Sequence, residues 1–184
     1  SEYLKELFSL IFPEFDNLER LERLKKICNH SQINRNILLA ALLIGEKNNH
    51  EYFAHKYSIS NDIKENLNLL ANDLKLIKEN NNFFDKDLEK NIYLSNKNHL
   101  INLNILNFVN NSKCKLIDFS TILKKILQSK EHLFPIDGKY LMQNGMKEGS
   151  ALGRVLKIIE DEWIKNGFKI SKDRVKKIIN SNLS

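Results

Sequence analysis

The sequence predicts an all-α fold made of two packed helical subdomains in an elongated arrangement. Apolar residues recur at helical spacing almost without a break along the chain. Only six glycines and two prolines interrupt its 184 residues. No run holds the period-two alternation of a half-buried strand, and no internal repeat or low-complexity linker divides the chain.

Leu4, Leu7, Phe8 and Ile11 form a first apolar stripe, ended by Pro13, whose ring cannot continue a helix. Asp16 and Glu19 make a D-x-x-E helix start in the manner of a capping box, and Leu18, Leu21, Leu24 and Cys28 follow on one face. Ile33, Ile37, Leu38, Ala41 and Leu42 mark the next helix, closed by Gly45 at the C′ position. Being apolar almost all round, this helix is expected at the centre. Ser60 caps a longer helix carrying Ile63, Leu67, Leu70, Leu74 and Ile77, and the polar stretch from Glu79 to Asn82 breaks it. Shorter helices are expected at 85–95 and 98–111. Another runs from Leu116 to Leu127, with Ile122, Ile126 and Leu127 facing inward. After Phe134-Pro135 come a short helix near 138–143, a Gly-containing turn, and a helix from 150 to 165. The last helix, at 171–181, is capped by Ser171 and has Arg174 and Lys177 in its first two turns. The subdomains are assigned to residues 1–112 and 113–184, meeting somewhere within 112–134.

A content of 42% hydrophobic and 28% charged residues is that of an ordinary globular chain. The longest apolar run, Ile37 to Ile44, falls well short of the ~20 residues that cross a bilayer. Glu2, Lys5 and Glu6 interrupt the first apolar residues, so no signal peptide is expected. Cys28 and Cys114 lie outside any CxxC pattern, which suits reduced thiols in the cytoplasm.

The net charge of +6 is uneven. Residues 1–112 hold 14 Lys/Arg against 15 Asp/Glu, and residues 113–184 hold 15 against 8. An excess placed in this way favours a polyanion such as nucleic acid. A chain rich in Lys, Asn and Ile also gains lysines from base composition alone, so charge by itself leaves both explanations open.

The catalytic patterns fail on geometry. Asp85-Lys86-Asp87 has the DxD spacing of a two-metal site, but follows a polar loop and opens a helix, where Asp is favoured by capping and by the dipole. His50-Glu51 begins a zincin-like pattern whose second histidine, His55, is five residues on and is turned by roughly 140° around a helix. His30, His99 and His132 have no Cys or carboxylate partner at ligand spacing. No nucleophile elbow, P-loop or GxGxxG is present. Glu160-Asp161-Glu162 reads as a solvated helical face.

Gly145, Gly149 and Gly153 form the densest glycine cluster. Gly145 and Gly149 can take the positive φ of tight turns, and Ser150 can then cap the helix whose inner face is Leu152, Leu156, Ile159 and Trp163. The free N–H groups at such a start suit a phosphate, with Arg154 one turn in and Lys147 and Lys157 beside it. The alternative reading of the glycines is a small-xxx-small surface for close helix packing.

The string Phe134-Pro135-Ile136-Asp137-Gly138-Lys139-Tyr140-Leu141, then Gly145 to Arg154, then Trp163 and Gly167-Phe168, resembles the C-terminal region of bacterial CCA-adding tRNA nucleotidyltransferases. These are class II enzymes, which share their architecture with bacterial poly(A) polymerases. The family pattern runs approximately F-P-x-x-G-x-D-L, G-x-x-P-G-P-x-L-G-x-x-L, then W and G-F. Leu10-Ile11-Phe12-Pro13-Glu14 resembles the close of the family's neck, Ile59-Ser60-Asn61 the start of a body helix, and Asn91-Ile92-Tyr93 a later body helix. Only 134–168 is specific. Tyr140 stands where the family has Asp, and Glu148 and Ser150 replace the prolines around Gly149.

The resemblance implies a helical body (1–112) and a basic tail (113–184) without the catalytic head, with its Gly-Ser strand and DxD, or the neck's E-D-x-x-R. Glu160-Asp161 has Ile164 where that Arg would stand. It implies a chain inactive alone and holding no cofactor, the parent's Mg and CTP or ATP belonging to the missing head and neck. The expected partner is tRNA, held at acceptor stem and elbow through phosphates, with a separately encoded head as a second partner and no membrane. Arg154, Lys147 and Lys157 are expected on the RNA first, with Gly149 and Ser150 at the helix start. Lys139, Lys165, Lys169, Lys172, Arg174, Lys176 and Lys177 form a broader electrostatic track. The alternative is a helical protein-interaction or idle remnant module from a split or truncated gene.

Overall fold

The computed structural model describes residues 2–15, 18–31, 33–45, 47 and 49–183, the side chains of Glu2, Leu4 and Lys5 excepted. The expected Asp16 helix start and the Leu4 side chain therefore lie outside the described residues. Among those described there are α-helices and no strand, as the periodicity predicts. The helices are α1 (Glu2–Ile11), α2 (Glu19–Lys25), α3 (Arg35–Leu43), α4 (Asn49–Lys56), α5 (Asn61–Glu79) and α6 (Leu88–Leu94). They continue with α7 (Lys97–Asn110), α8 (Leu116–Gln128), α9 (Gly138–Gln143), α10 (Ser150–Lys165) and α11 (Lys172–Asn180). The chain divides into two compact units, Ser1–Ser129 and Lys130–Ser184.

In the first unit α7 is the organising element, packed against α2, α3, α5, α6 and α8. Leu100, Leu103, Ile105 and Leu106 are fully buried, because neighbouring helices cover α7 on most of its sides, polar His99 and Asn104 included. The predicted central helix, α3, is also deeply buried, and shares the centre with α7. Asn34 caps α3 by accepting from the Ile37 N–H at 2.9 Å. Ser60 caps α5 in the same way, as expected, with Leu67, Leu70 and Leu74 facing the core.

Two arginines of α2 close the ends of other helices. The Arg20 guanidinium is buried and donates to the carbonyls of Ala41 and Ile44 at the end of α3, at 3.4 and 3.1 Å. Gly45 is required here for room: a Cβ there would collide with that guanidinium, and its φ is not left-handed. Arg23 donates to the carbonyls of Phe108 (2.9 and 2.6 Å), Asn111 (2.9 Å) and Cys114 (2.8 Å). Its guanidinium also lies 4.3 Å from the Phe108 ring centroid. A helix end leaves carbonyls unpaired, and a planar fork with five donors suits them.

Three expectations about facing are corrected. On α1 the buried side is Phe8, continued by Phe12 and Phe15, whereas Leu7, Ile11, Tyr3 and Leu10 are exposed. Leu127 of α8 is exposed while Phe119 and Ile126 fill the core, and Cys28 is exposed beyond the end of α2. Because α8 packs on α7, with the Phe108 and Phe119 rings 5.4 Å apart, the unit boundary falls after Ser129, inside the expected 112–134 stretch and later than the assigned 112/113.

The second unit is α9, α10 and α11 around Leu141, Met146, Val155, Ile159, Val175, Ile178 and Ile179. The two glycines that follow α9 and α10 end them alike. Gly145 has φ 97°, with its N–H on the Met142 carbonyl (3.1 Å) and the Met146 N–H on Leu141 (3.2 Å). Gly167 has φ 65°, with its N–H on Ile164 (3.1 Å) and the Phe168 N–H on Trp163 (2.9 Å). This is the Schellman arrangement, and each stop carries its expected apolar contact. Leu141 and Met146 are buried together, and the Trp163 and Phe168 rings meet edge to face with centroids 4.9 Å apart.

Candidate nucleic-acid interface

The start of α10 differs from expectation in one respect. Gly149, with φ 144° and ψ −172°, occupies the N-cap position and makes no side-chain cap, while Ser150 is the first helical residue. The Ser150 hydroxyl instead accepts from Arg154 Nη1 at 3.4 Å. Gly149 is needed for a backbone conformation that side chains resist. Nothing lies within 4 Å of a Cβ built on Gly149 or Gly153, so neither glycine serves close packing within the unit. The helix start, Gly149 to Arg154, is open apart from half-buried Leu152.

All the basic residues singled out in the second unit are exposed. Helical spacing puts Ser150, Arg154, Lys157, Asp161 and Lys165 on the outer face of α10, opposite buried Val155, Ile159 and Trp163. Val155 joins Ile159 in the core, whereas Leu152 and Leu156, expected on the inner face, are half-buried. Two of the cations are held internally. Lys157 pairs with Glu160 at 2.8 Å and Asp161 at 3.1 Å, which holds its ammonium above the usual lysine range. Arg174 makes a two-pronged pair with Glu162 at 2.7 and 2.8 Å, which holds that carboxyl below its ordinary value. The Glu160–Glu162 run is therefore an ion-pairing face. Lys139, Lys147, Arg154, Lys165, Lys169, Lys172, Lys176 and Lys177 have no ion pair among the described residues.

Drawn at the observed boundary, the first unit holds 18 Lys/Arg against 16 Asp/Glu and the second 11 against 7. The positive excess is thus shared as +2 and +4, and the smaller unit is the denser in charge.

The dismissed motifs have structural partners. Asp85 pairs with Lys125 at 2.8 Å, and Asp87 accepts from the Asn80 amide at 2.9 Å; α6 begins only after them. His50 is buried on α4 with an unpartnered Nδ1, and burial lowers its pKa against the opposing pull of Glu51. His55, on the same helix, is exposed. Among the described residues there is no metal-holding cluster of His, Cys, Asp or Glu, and no helix long and apolar enough to cross a membrane.

One constellation escaped the sequence. His99, buried at the start of α7, meets Asp73 of α5 with Nε2 and Oδ2 2.7 Å apart. The two sit in the wall of a groove of about 670 Å³ formed by α5, α6 and the start of α7. They are 26 residues apart, so no short spacing could announce the pair.

No known protein family matches the sequence, and neither a curated protein nor a solved structure shows significant similarity to it.

Proposed function

We propose that this chain is the tRNA-holding C-terminal part of a cytoplasmic CCA-adding tRNA nucleotidyltransferase, without catalysis of its own. The observation that carries the reading is the coincidence of the Phe134–Phe168 resemblance with an exposed basic surface around an open helix start. Arg154 reaches Ser150 at the start of α10, and Lys147 precedes Gly149 by two residues; a phosphate at that helix start is favoured by hydrogen bonding and by the helix dipole. The remaining lysines extend that charge along a track suited to A-form RNA, which is gripped by shape and backbone. Lys157 and Arg174 join it only by giving up carboxylate partners, so they rank below Arg154 and Lys147 as contacts.

Fluorescence anisotropy of labelled tRNA tests this. Affinity should fall between low and physiological salt, with a log–log slope of about −0.7 to −0.9 per phosphate contact. Arg154→Glu should weaken binding about tenfold or more and flatten that slope. A salt-independent affinity, or full binding by the variant, rejects the reading.

A second reading, a helical protein-interaction module, is favoured by α1. Tyr3, Leu7, Leu10 and Ile11 form one exposed apolar stripe on it, Leu10 being 81% exposed. Gel shifts with tRNA challenged by a protein competitor of equal charge separate the two, because only the first predicts tRNA retention.

A further inference from the structure

We propose that the groove between α5, α6 and α7 is a second binding site, whose ligand is an extended peptide segment bearing a basic side chain between apolar ones. The groove has its own chemistry, independent of the basic surface of the second unit. On α5, Asn66, Leu69, Asp73 and Leu76 recur at i, i+3, i+7 and i+10, which places them in one column along the groove wall. Asn98 and Asn102 stand one turn apart on α7 and line it as well.

The amides of Asn66, Asn98 and Asn102 have no hydrogen-bond partner among the described residues, although all three line the groove. Each can donate and accept at once, as a peptide group requires. Leu69, Leu76 and Leu94 line the same groove and are about half exposed, so apolar surface lies beside each free amide.

Charge selects among the ligands that this pattern could take. The groove lining holds no Lys or Arg, and its ionisable side chains are Asp73 and His99. A phosphate backbone has nothing to pair with there. A flat base has no free ring to stack on, because Phe83 is buried with Phe84 edge-on at 5.1 Å. Asp73 gives one oxygen to His99 and keeps the other for a cation, with about a fifth of its side chain exposed. A lysine or arginine between apolar residues fits that combination, with the main chain between the asparagine columns.

The test uses the whole chain. Random twelve-residue linear peptides displayed on phage are selected against it, and the enriched sequences are synthesised with a fluorescein label and measured by anisotropy. Selection should return a Lys or Arg flanked by apolar residues. Leu76→Lys, at an exposed position that leaves the thermal melt unchanged, puts a cation one turn from Asp73 and should abolish binding. Asn102→Ala should weaken it several-fold, and replacing the peptide's basic residue by norleucine should cost about tenfold. tRNA affinity should be the same with and without saturating peptide, which keeps failure here distinct from failure of the RNA reading. The proposal is overturned if no sequence is enriched, if the selected peptides bind the Leu76→Lys chain equally well, or if hexa-adenylate displaces them.

Discussion

Single residues in this protein act mostly by satisfying buried polar groups that helix ends leave behind. Arg23 closes the end of α7 with four hydrogen bonds to three carbonyls, reaching 85 to 91 residues along the chain. Arg23→Ala should therefore cost about 3 kcal/mol, read as a lower urea midpoint, whereas replacing the i,i+3 partner Lys25 should cost almost nothing. His50 gives the opposite kind of case. Its folded pKa lies below the ordinary 6.5 because burial disfavours the charged ring. The unfolded chain takes up that proton first, so stability is level above about pH 6.5 and falls as pH drops through it. Urea midpoints between about pH 8 and 5.5 should show this slope, and His50→Leu should reduce it. Glu14 adds a separate loss at lower pH. Burial pushes its carboxyl up, but the Lys56 hydrogen bond at 2.6 Å, its own backbone N–H and the Lys56 charge outweigh that and hold it low.

At the scale of the element, α10 shows that glycines of one cluster do different work. Gly149 sits at φ 144° and Gly153 in open helix. Gly149→Ala should destabilise the second unit by about 1–3 kcal/mol, and Gly153→Ala should stabilise it by about 1 kcal/mol, both read in thermal melts. Much of this element was legible in the sequence. The positive φ at Gly145 and Gly149, the Ser171 cap and the extent of the helix follow from turn chemistry and the 3.6-residue period. The Ser150 cap was not, because Gly and Ser are both competent N-caps and stand side by side. Nor was the facing of α1 legible: Phe8 and Leu7 are both apolar, and only the aromatic cluster of Phe8, Phe12, Phe15 and Phe53 decides which side turns in.

At the scale of the whole molecule, composition predicted the all-α class because a long chain with few glycines and continuous helical periodicity has little else to form. The place of the unit boundary within 112–134 was hidden, since it depends on whether α8 packs on α7, and so was the Asp73–His99 groove, which depends on contacts between separate helices. Ser129 to Asp137 carries no helix, and Lys130 and Leu133 are exposed within it. Limited trypsin digestion should cut first after Lys130, giving two fragments that mass spectrometry identifies; earlier cuts inside α5 or α7 would contradict the division.

The central place of α7 also sets an order on synthesis. Its residues leave the ribosome after α2, α3, α5 and α6, whose apolar faces it covers. Until Cys114 has emerged, Arg23 lacks the last of its carbonyls, and α3 and α5 have only α2, α4 and each other as main shelter. Long-range closure of this kind is slow compared with the formation of the helices themselves. The nascent first half is therefore the form of this protein most open to chaperones and to aggregation.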